Sequence, residues 1–182
     1  NILSLLSISS PLILYVTLYQ LGCITKEQLY SYSKFDSILG EHPDRNKVPS
    51  VDVSTGSLGH GLPNAVGMAI GFKAQGLNNK VFVVIGDGEA NEGKNWESAY
   101  SASHTPDLGA KFASFGWEVR TIDGNNIEKV REALTMPSEK PLVVWAHTIK
   151  GHGCSLMEAD PEGWHHRVIN EMEYNRLMEE LK

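Results

Sequence analysis

Val81-Phe82-Val83-Val84-Ile85-Gly86-Asp87-Gly88 is the stretch that decides the fold of this 182-residue chain. Its first five residues form an apolar run dominated by valine, the pattern of a strand buried on both faces in a parallel sheet. The run ends directly in Gly86-Asp87-Gly88, and ligands of open parallel sheets bind outside the carboxyl ends of the strands. An aspartate between two glycines presents a carboxylate where the backbone is thin, which suits a hard divalent cation that takes oxygen ligands. Asp-Gly pairs are mostly plain turns, and the tripeptide alone favours that reading.

Upstream, Ser54-Thr55-Gly56-Ser57-Leu58-Gly59-His60-Gly61 sets three glycines and several hydroxyls immediately before a helix. Exposed N–H groups and the helix dipole can cradle a phosphate there. The alternative is a flexible linker, but a linker would not normally lead straight into the small-residue helix that Ala65, Met68, Ala69 and Phe72 predict over Gly61 to Gln75.

The rest of the chain alternates helix and strand. Leu12 to Leu21 reads as a largely buried helix stopped at Gly22, and Thr25 with Gln28 caps a short helix over Lys26 to Ser33. Lys34 to His60 has little periodicity and is punctuated by Pro43, Pro49, Gly56 and Gly59, so it is a long loop, ordered or disordered; loops of this length in compact domains are usually functional. Helices follow around Trp96 to Ser103 and, capped at Thr105-Pro106, toward Phe115. Trp117 to Ile122 and Pro141 to Thr148 read as strands, the second one buried. Asn125 or Asn126 caps a helix to Leu134, and Asn170 with Glu173 caps a final helix to Leu181. The alternation predicts an α/β fold, a mostly parallel sheet with helices on both faces, in a single domain over residues 1–182.

Composition narrows the function classes. With 41% hydrophobic and 21% charged residues and a net charge of −6, the chain reads as a soluble globular domain with no basic surplus for nucleic acid or anionic lipid. Cys23 and Cys154 fit neither a disulfide framework nor a metal-ligand spacing, which points to a reducing compartment. Asn1 to Leu14 is apolar but has no basic leader and is too short to span a bilayer, so cytoplasmic placement is the expectation.

Taken together, GSLGHGLPNAVGMAIG (residues 56–71) followed by VFVVIGDGEANEGKNWESA (81–99) closely resembles the transketolase family, above all the N-terminal subunits of split transketolases. EHPDRNKVPSVDVSTG precedes these motifs in the family's order, and FGWEVRTIDGNN, HTIKGHG and GWHHRV follow them. The resemblance implies thiamine diphosphate held by its diphosphate on this domain, with Mg²⁺ or Ca²⁺ bridging the phosphates to Asp87. By the same match Gly56, Ser57 and Leu58 line the cofactor, with Gly86, Gly88 and Glu89 at the diphosphate. Ile149 of the HTIKG element sits beside the cofactor, and His165 reaches the diphosphate. His42 stands near the reacting carbons of the substrate, and Glu92 resembles a buried glutamate that links two active sites across the dimer interface.

The resemblance breaks in two places. The family's second metal ligand is an asparagine on the strand after GDG, and Lys111 to Val119, where it would fall, holds none. The chain passes from His104 to Thr105 over what is a whole strand and loop in the family. Either that strand is deleted or the sequence joins pieces that are not contiguous. The second is the expectation, because losing a central strand would leave its neighbours' backbone groups unpaired, at roughly 1–3 kcal/mol each. Near the start, Ser9-Ser10-Pro11-Leu12 stands where the family has a glycine-histidine pair.

The resemblance thus implies transfer of a two-carbon ketol unit from a ketose, such as a sugar phosphate, to an aldose. It also implies self-association and a partner subunit carrying the pyrimidine-binding domain with its activating glutamate. Neither nucleic acid nor membrane is expected as a partner. The competing readings are a degenerate, non-catalytic module that keeps the fold, and another thiamine-dependent synthase.

Overall fold

The structure, a computed structural model, describes residues 3–7, 11–87, 89–91, 107–165 and 167–181. The chain divides into two compact units, Asn1–Ala102 and Ser103–Lys182.

The first unit is built on β1 (Leu3–Ser7) and β2 (Lys80–Val84), which pair in parallel with Leu3 opposite Lys80 and Ser7 opposite Val84. Parallel neighbours need a crossover, and here it contains α1 (Pro11–Gln20), α2 (Lys26–Tyr30) and α3 (Gly61–Ala74). α3 packs on both strands. It ends at Gln75, and the chain reverses through Gly76, at φ 70°, before β2 begins at Lys80. A helix packed on the strand that follows it after so short a connection runs antiparallel to it. The N-terminus of α3 therefore lies at the carboxyl end of β2.

The core of this unit joins Leu14, Tyr15 and Leu18 of α1 to Ile24, Leu39, Val48 and Val51. Three of these residues come from the stretch that shows no periodicity, and they make it ordered. Leu39 is fully buried, and burying a leucine contributes about 1.5–3 kcal/mol. The Tyr15 hydroxyl donates to the Gly40 carbonyl at 2.8 Å, and the Ser33 N–H donates to the Leu39 carbonyl at 2.8 Å. Ser33, Asp36 and Ser50 turn the chain with positive φ, a conformation that short polar side chains tolerate better than branched ones.

Three expectations need correction here. α1 is buried along one stripe, while Leu12, Ile13 and Val16 are about half exposed, because its packing partners meet only the Leu14, Tyr15 and Leu18 side. α2 stops at Tyr30 and not at Ser33, since Ser33 at φ 56° cannot continue a right-handed helix. Val81 to Val84 are half-buried and not fully covered on both faces.

The second unit repeats the logic. α4 (Leu108–Ser114) leads to β3 (Glu118–Asp123), α5 (Ile127–Thr135) crosses over, and β4 (Leu142–His147) pairs with β3 in parallel, Glu118 opposite Leu142 and Asp123 opposite His147. Here too β4 is half-buried and becomes exposed at its carboxyl end. Asp107 caps α4 by accepting the Ala110 N–H, in place of the expected Thr105; Thr105, Pro106 and the helix expected around Trp96 to Ser103 lie outside the described residues. Asn126 caps α5, and Asn170 with Glu173 forms a reciprocal capping box on α7 (Glu171–Glu180), as the sequence predicts. Strand β1 and the short helix α6 (Ser155–Ala159) had no counterpart in the sequence reading. Arg120, on β3, donates to the carbonyls of Ala133, Met136 and Pro137 and so closes the C-terminus of α5. Hydrogen bonds from Ser138 and then Arg120 hold the Glu118 carboxyl below its usual range. Among the described residues no helix is long and apolar enough to cross a membrane.

Tyr15 makes the core of the first unit testable. Burial first, then the Tyr32 and Asp44 charges, push its hydroxyl up to about 12, so the folded state favours the neutral phenol. That contribution is fully present below the unfolded value near 10 and disappears as pH rises through about 12. Thermal melts from pH 9 to 12 should show stability falling over this window in the wild type, with a shallower fall in Tyr15→Phe. At neutral pH the variant should lose about 1 kcal/mol with its hydrogen bond.

Candidate functional site

In the first unit the expected residues fall on the turn after β2 and on the loop before α3 with the His42 segment it folds against. β2 runs into Gly86 and Asp87, with Asp87 exposed in the turn. Glu89 follows in a 3₁₀ turn (Glu89–Asn91) whose Ala90 N–H returns to the Gly86 carbonyl, and its side chain is only 5% exposed. The N-terminus of α3 arrives at the same end. It has no acidic residue in its first turn and no side-chain cap at His60, so its positive end is not neutralised by its own sequence. Gly88 and Glu92 lie outside the described residues.

The loop leading into α3 folds back on the His42 segment. Thr55 N–H donates to the Pro43 carbonyl at 3.0 Å, Arg45 N–H to the Ser54 hydroxyl at 3.1 Å, and Asp44 Oδ1 accepts the Asn46 N–H at 2.9 Å. Pro43 is fully buried, whereas His42 is exposed at the rim of a cleft of about 360 Å³ that Asp44, Lys47, Ser54 and Thr55 also line. Gly56 lies against the His42 ring at φ 148°; a Cβ there would stand 2.9 Å from His42 Cγ. Only glycine lets the loop approach this closely and turn this way. Ser57 is exposed and Leu58 half-buried beside it.

In the second unit the carboxyl ends of β3 and β4 border a cleft of about 600 Å³ lined by Asp123, Asn125, His147, Thr148, Ile149 and His152. Gly124 N–H donates to the His147 carbonyl at 2.7 Å, and a Cβ on Gly124 would meet Thr148 Cγ2 at 2.6 Å. Asn125 Oδ1 accepts the Ile149 N–H at 2.8 Å. Ile149 is 55% exposed at this edge. Lys150 Nζ lies 3.2 Å from His165 Nδ1. His166 lies outside the described residues.

The structure therefore brings the expected residues into two groups: His42, Gly56, Ser57, Leu58, Gly86, Asp87 and Glu89 in the first unit, Ile149 and His165 in the second. The sequence reading missed Asn125 as a link between loops. Asparagine after a strand reads as a helix cap, and nothing local tells of a bond 24 residues away. Among the described residues no three His, Cys, Asp or Glu side chains come together as a metal cage.

The first unit fits a diphosphate with a cation. The uncapped α3 N-terminus and the loop that only glycine permits at Gly56 suit the anion, while Asp87 and buried Glu89 add negative charge to the same turn that a divalent cation would offset.

Comparison with known proteins shows the family. The family described as "Transketolase, thiamine diphosphate binding domain" matches residues 5–109. One of the subunits of the apulose-4-phosphate transketolase of Actinobacillus succinogenes is 39% identical over 196 residues, covering 92% of this chain and 71% of that protein. The 6-deoxy-6-sulfo-D-fructose transketolase subunit SqwG of Clostridium sp. is 30% identical over 188 residues, covering 87% of this chain and 68% of that protein. In both matches the span exceeds the share of this chain's 182 residues that it takes in, so the relatives hold residues inside it that this chain lacks. The crystal structure of transketolase from Campylobacter jejuni superposes with a TM-score of 0.79 at 24% identity, over 97% of this chain and 33% of that one, which establishes the α/β fold. By the family match over residues 5–109 and by relatives that it covers for more than two thirds of their length, this chain belongs to the transketolase family and carries its thiamine-diphosphate-binding domain.

Proposed function

We propose that the chain is the diphosphate-binding half of a two-chain transketolase, moving a two-carbon ketol unit from a ketose phosphate to an aldose acceptor. The feature that carries this reading is that α3, packed on β2 and running antiparallel to it, points its uncapped N-terminus to the end of β2 at which Gly86-Asp87 stands. When bound, thiamine diphosphate supplies the thiazolium carbon at which the ketol carbon–carbon bond is broken and remade.

This chain's residues bind and orient. Main-chain N–H groups at the start of α3 would hold the diphosphate, as an uncapped helix N-terminus favours. Asp87 would ligate Mg²⁺ or Ca²⁺, a hard cation that would offset the charge of the diphosphate. Ser57, Leu58, Gly86, Gly88 and Glu89 would line the cofactor. His42, exposed over a cleft with Asp44, Lys47, Ser54 and Thr55, hydrogen-bonds the sugar hydroxyls or moves a proton at them.

The relatives named as subunits support a partner chain; in this reading that partner holds the pyrimidine side and the activating glutamate, and Glu92 belongs to a self-association interface. Their different sugars leave the substrate at the level of ketose phosphates and their analogues. Both cysteines are free thiols, which supports a cytoplasmic setting. One observation favours a second reading. The residues that the relatives hold inside the matched span would include the second metal ligand, and their loss would leave a non-catalytic module of the same fold.

Calorimetry separates the two. With Mg²⁺ present, thiamine diphosphate should bind the chain mixed with a pyrimidine-side partner of the same family, and Asp87→Ala should weaken binding at least tenfold, about 1.4 kcal/mol or more. No binding in any mixture would leave the non-catalytic module. Gly56→Ala should destabilise the first unit by about 1–3 kcal/mol, because alanine is strained at φ 148° and its Cβ would strike His42. Thermal unfolding checks it, and an unchanged melting temperature would contradict the close loop packing.

A further inference from the structure

We infer that Asp44 is a specificity-determining residue of the first unit's cleft, accepting a hydroxyl of the ketose on the one carboxylate oxygen that the fold leaves unused; this rests on the function proposed above. The two oxygens of Asp44 have separate tasks. Oδ1 accepts the Asn46 N–H at 2.9 Å, the local turn that a short carboxylate favours, and also the Ser54 hydroxyl at 3.4 Å. Oδ2 takes part in no hydrogen bond or ion pair among the described residues.

Asp44 is also held in place. Its carbonyl accepts the Lys47 N–H at 3.0 Å and the Val48 N–H at 2.9 Å, and Val48 is fully buried in the core. The next N–H along, that of Arg45, donates to the Ser54 hydroxyl at 3.1 Å. Asp44 is half-buried, and a carboxylate oxygen in such a place needs a donor, so a ligand hydroxyl that displaces water there gains a charge-assisted bond. The cleft around it, about 360 Å³, is of small-molecule size and lies wholly within the first unit. Asp44 and Lys47 line it with opposite charges and no ion pair between them, a balance that suits a neutral polyol segment better than an anionic end. His42, with Gly56 against its ring, lines the same cleft. A polyol beside His42 thus meets an acceptor in Asp44 and a donor in Lys47.

The test uses the full chain with its pyrimidine-side partner, thiamine diphosphate and Mg²⁺, with glycolaldehyde as acceptor. The donors are apulose 4-phosphate and 6-deoxy-6-sulfo-D-fructose, the sugars for which the relatives are named, and hydroxypyruvate. Hydroxypyruvate delivers the same two-carbon unit with loss of carbon dioxide and has no polyol tail. Asp44→Asn keeps an oxygen for the Asn46 turn but puts an uncharged N–H donor where Oδ2 stands. Its melting temperature should stay near the wild-type value. Its preference for ketose over hydroxypyruvate, as a ratio of kcat/KM, should fall about tenfold or more, mainly through the ketose KM. Asp44→Ala should lose the same preference and also melt lower. If Asp44→Asn keeps the wild-type preference, whatever Asp44→Ala does, Asp44 serves the turn alone and this inference is overturned by itself. The same follows if wild type uses hydroxypyruvate but neither ketose. Wild type that uses none of the three donors overturns the proposed function and the inference together.

Discussion

Parallel strand pairing is the constraint on which the rest of this structure depends. A parallel neighbour cannot be reached by a tight turn, so each pair requires a crossover that leaves at the carboxyl end of one strand and enters the next at its amino end, which puts the starts of the crossover helices at the carboxyl end. In the first unit this brings the start of α3 to the end of β2, where Asp87 stands. In the second it lays the turn after β3 beside the segment after β4. The site residues are far apart in sequence and become neighbours for this topological reason. Their chemistry follows from being at strand ends, where backbone N–H groups and carboxylates are not consumed by the ladder.

Much of this was legible in residues 56–71 and 81–88. A valine-rich run that stops at a glycine, and a glycine-rich loop that enters a small-residue helix, report their structure locally. The extent of α3, the capping box at Thr25 and the one at Asn170 all follow from side chains within a few positions of the backbone groups they serve. The order of the motifs carried the family, which neither periodicity nor composition could have supplied. Asp87 stands in the turn after β2, and Gly56 packs against the His42 ring.

What was not legible depends on distance in the chain. Residues 34–60 read as a loop of uncertain order because their apolar residues have no period. Leu39, Val48 and Val51 are instead spaced to reach the buried side of α1 one at a time. The contact of Gly56 with His42 and the bond from Asn125 to Ile149 belong to the same class, since each joins residues that no local pattern relates. Burial of the strands was overestimated because apolar content reports what a strand tolerates, while its cover depends on how many elements pack on it.

The central claim is that a diphosphate and its cation sit at the carboxyl end of β2. It is tested most directly by a crystal structure of the chain with its partner, thiamine diphosphate and Mn²⁺, read through the anomalous signal of the manganese. The account predicts a single strong peak within coordination distance of the Asp87 carboxylate, with diphosphate oxygens on the same ion. A manganese peak and a bound diphosphate away from Asp87, or a fully formed assembly in which neither binds there, would contradict it.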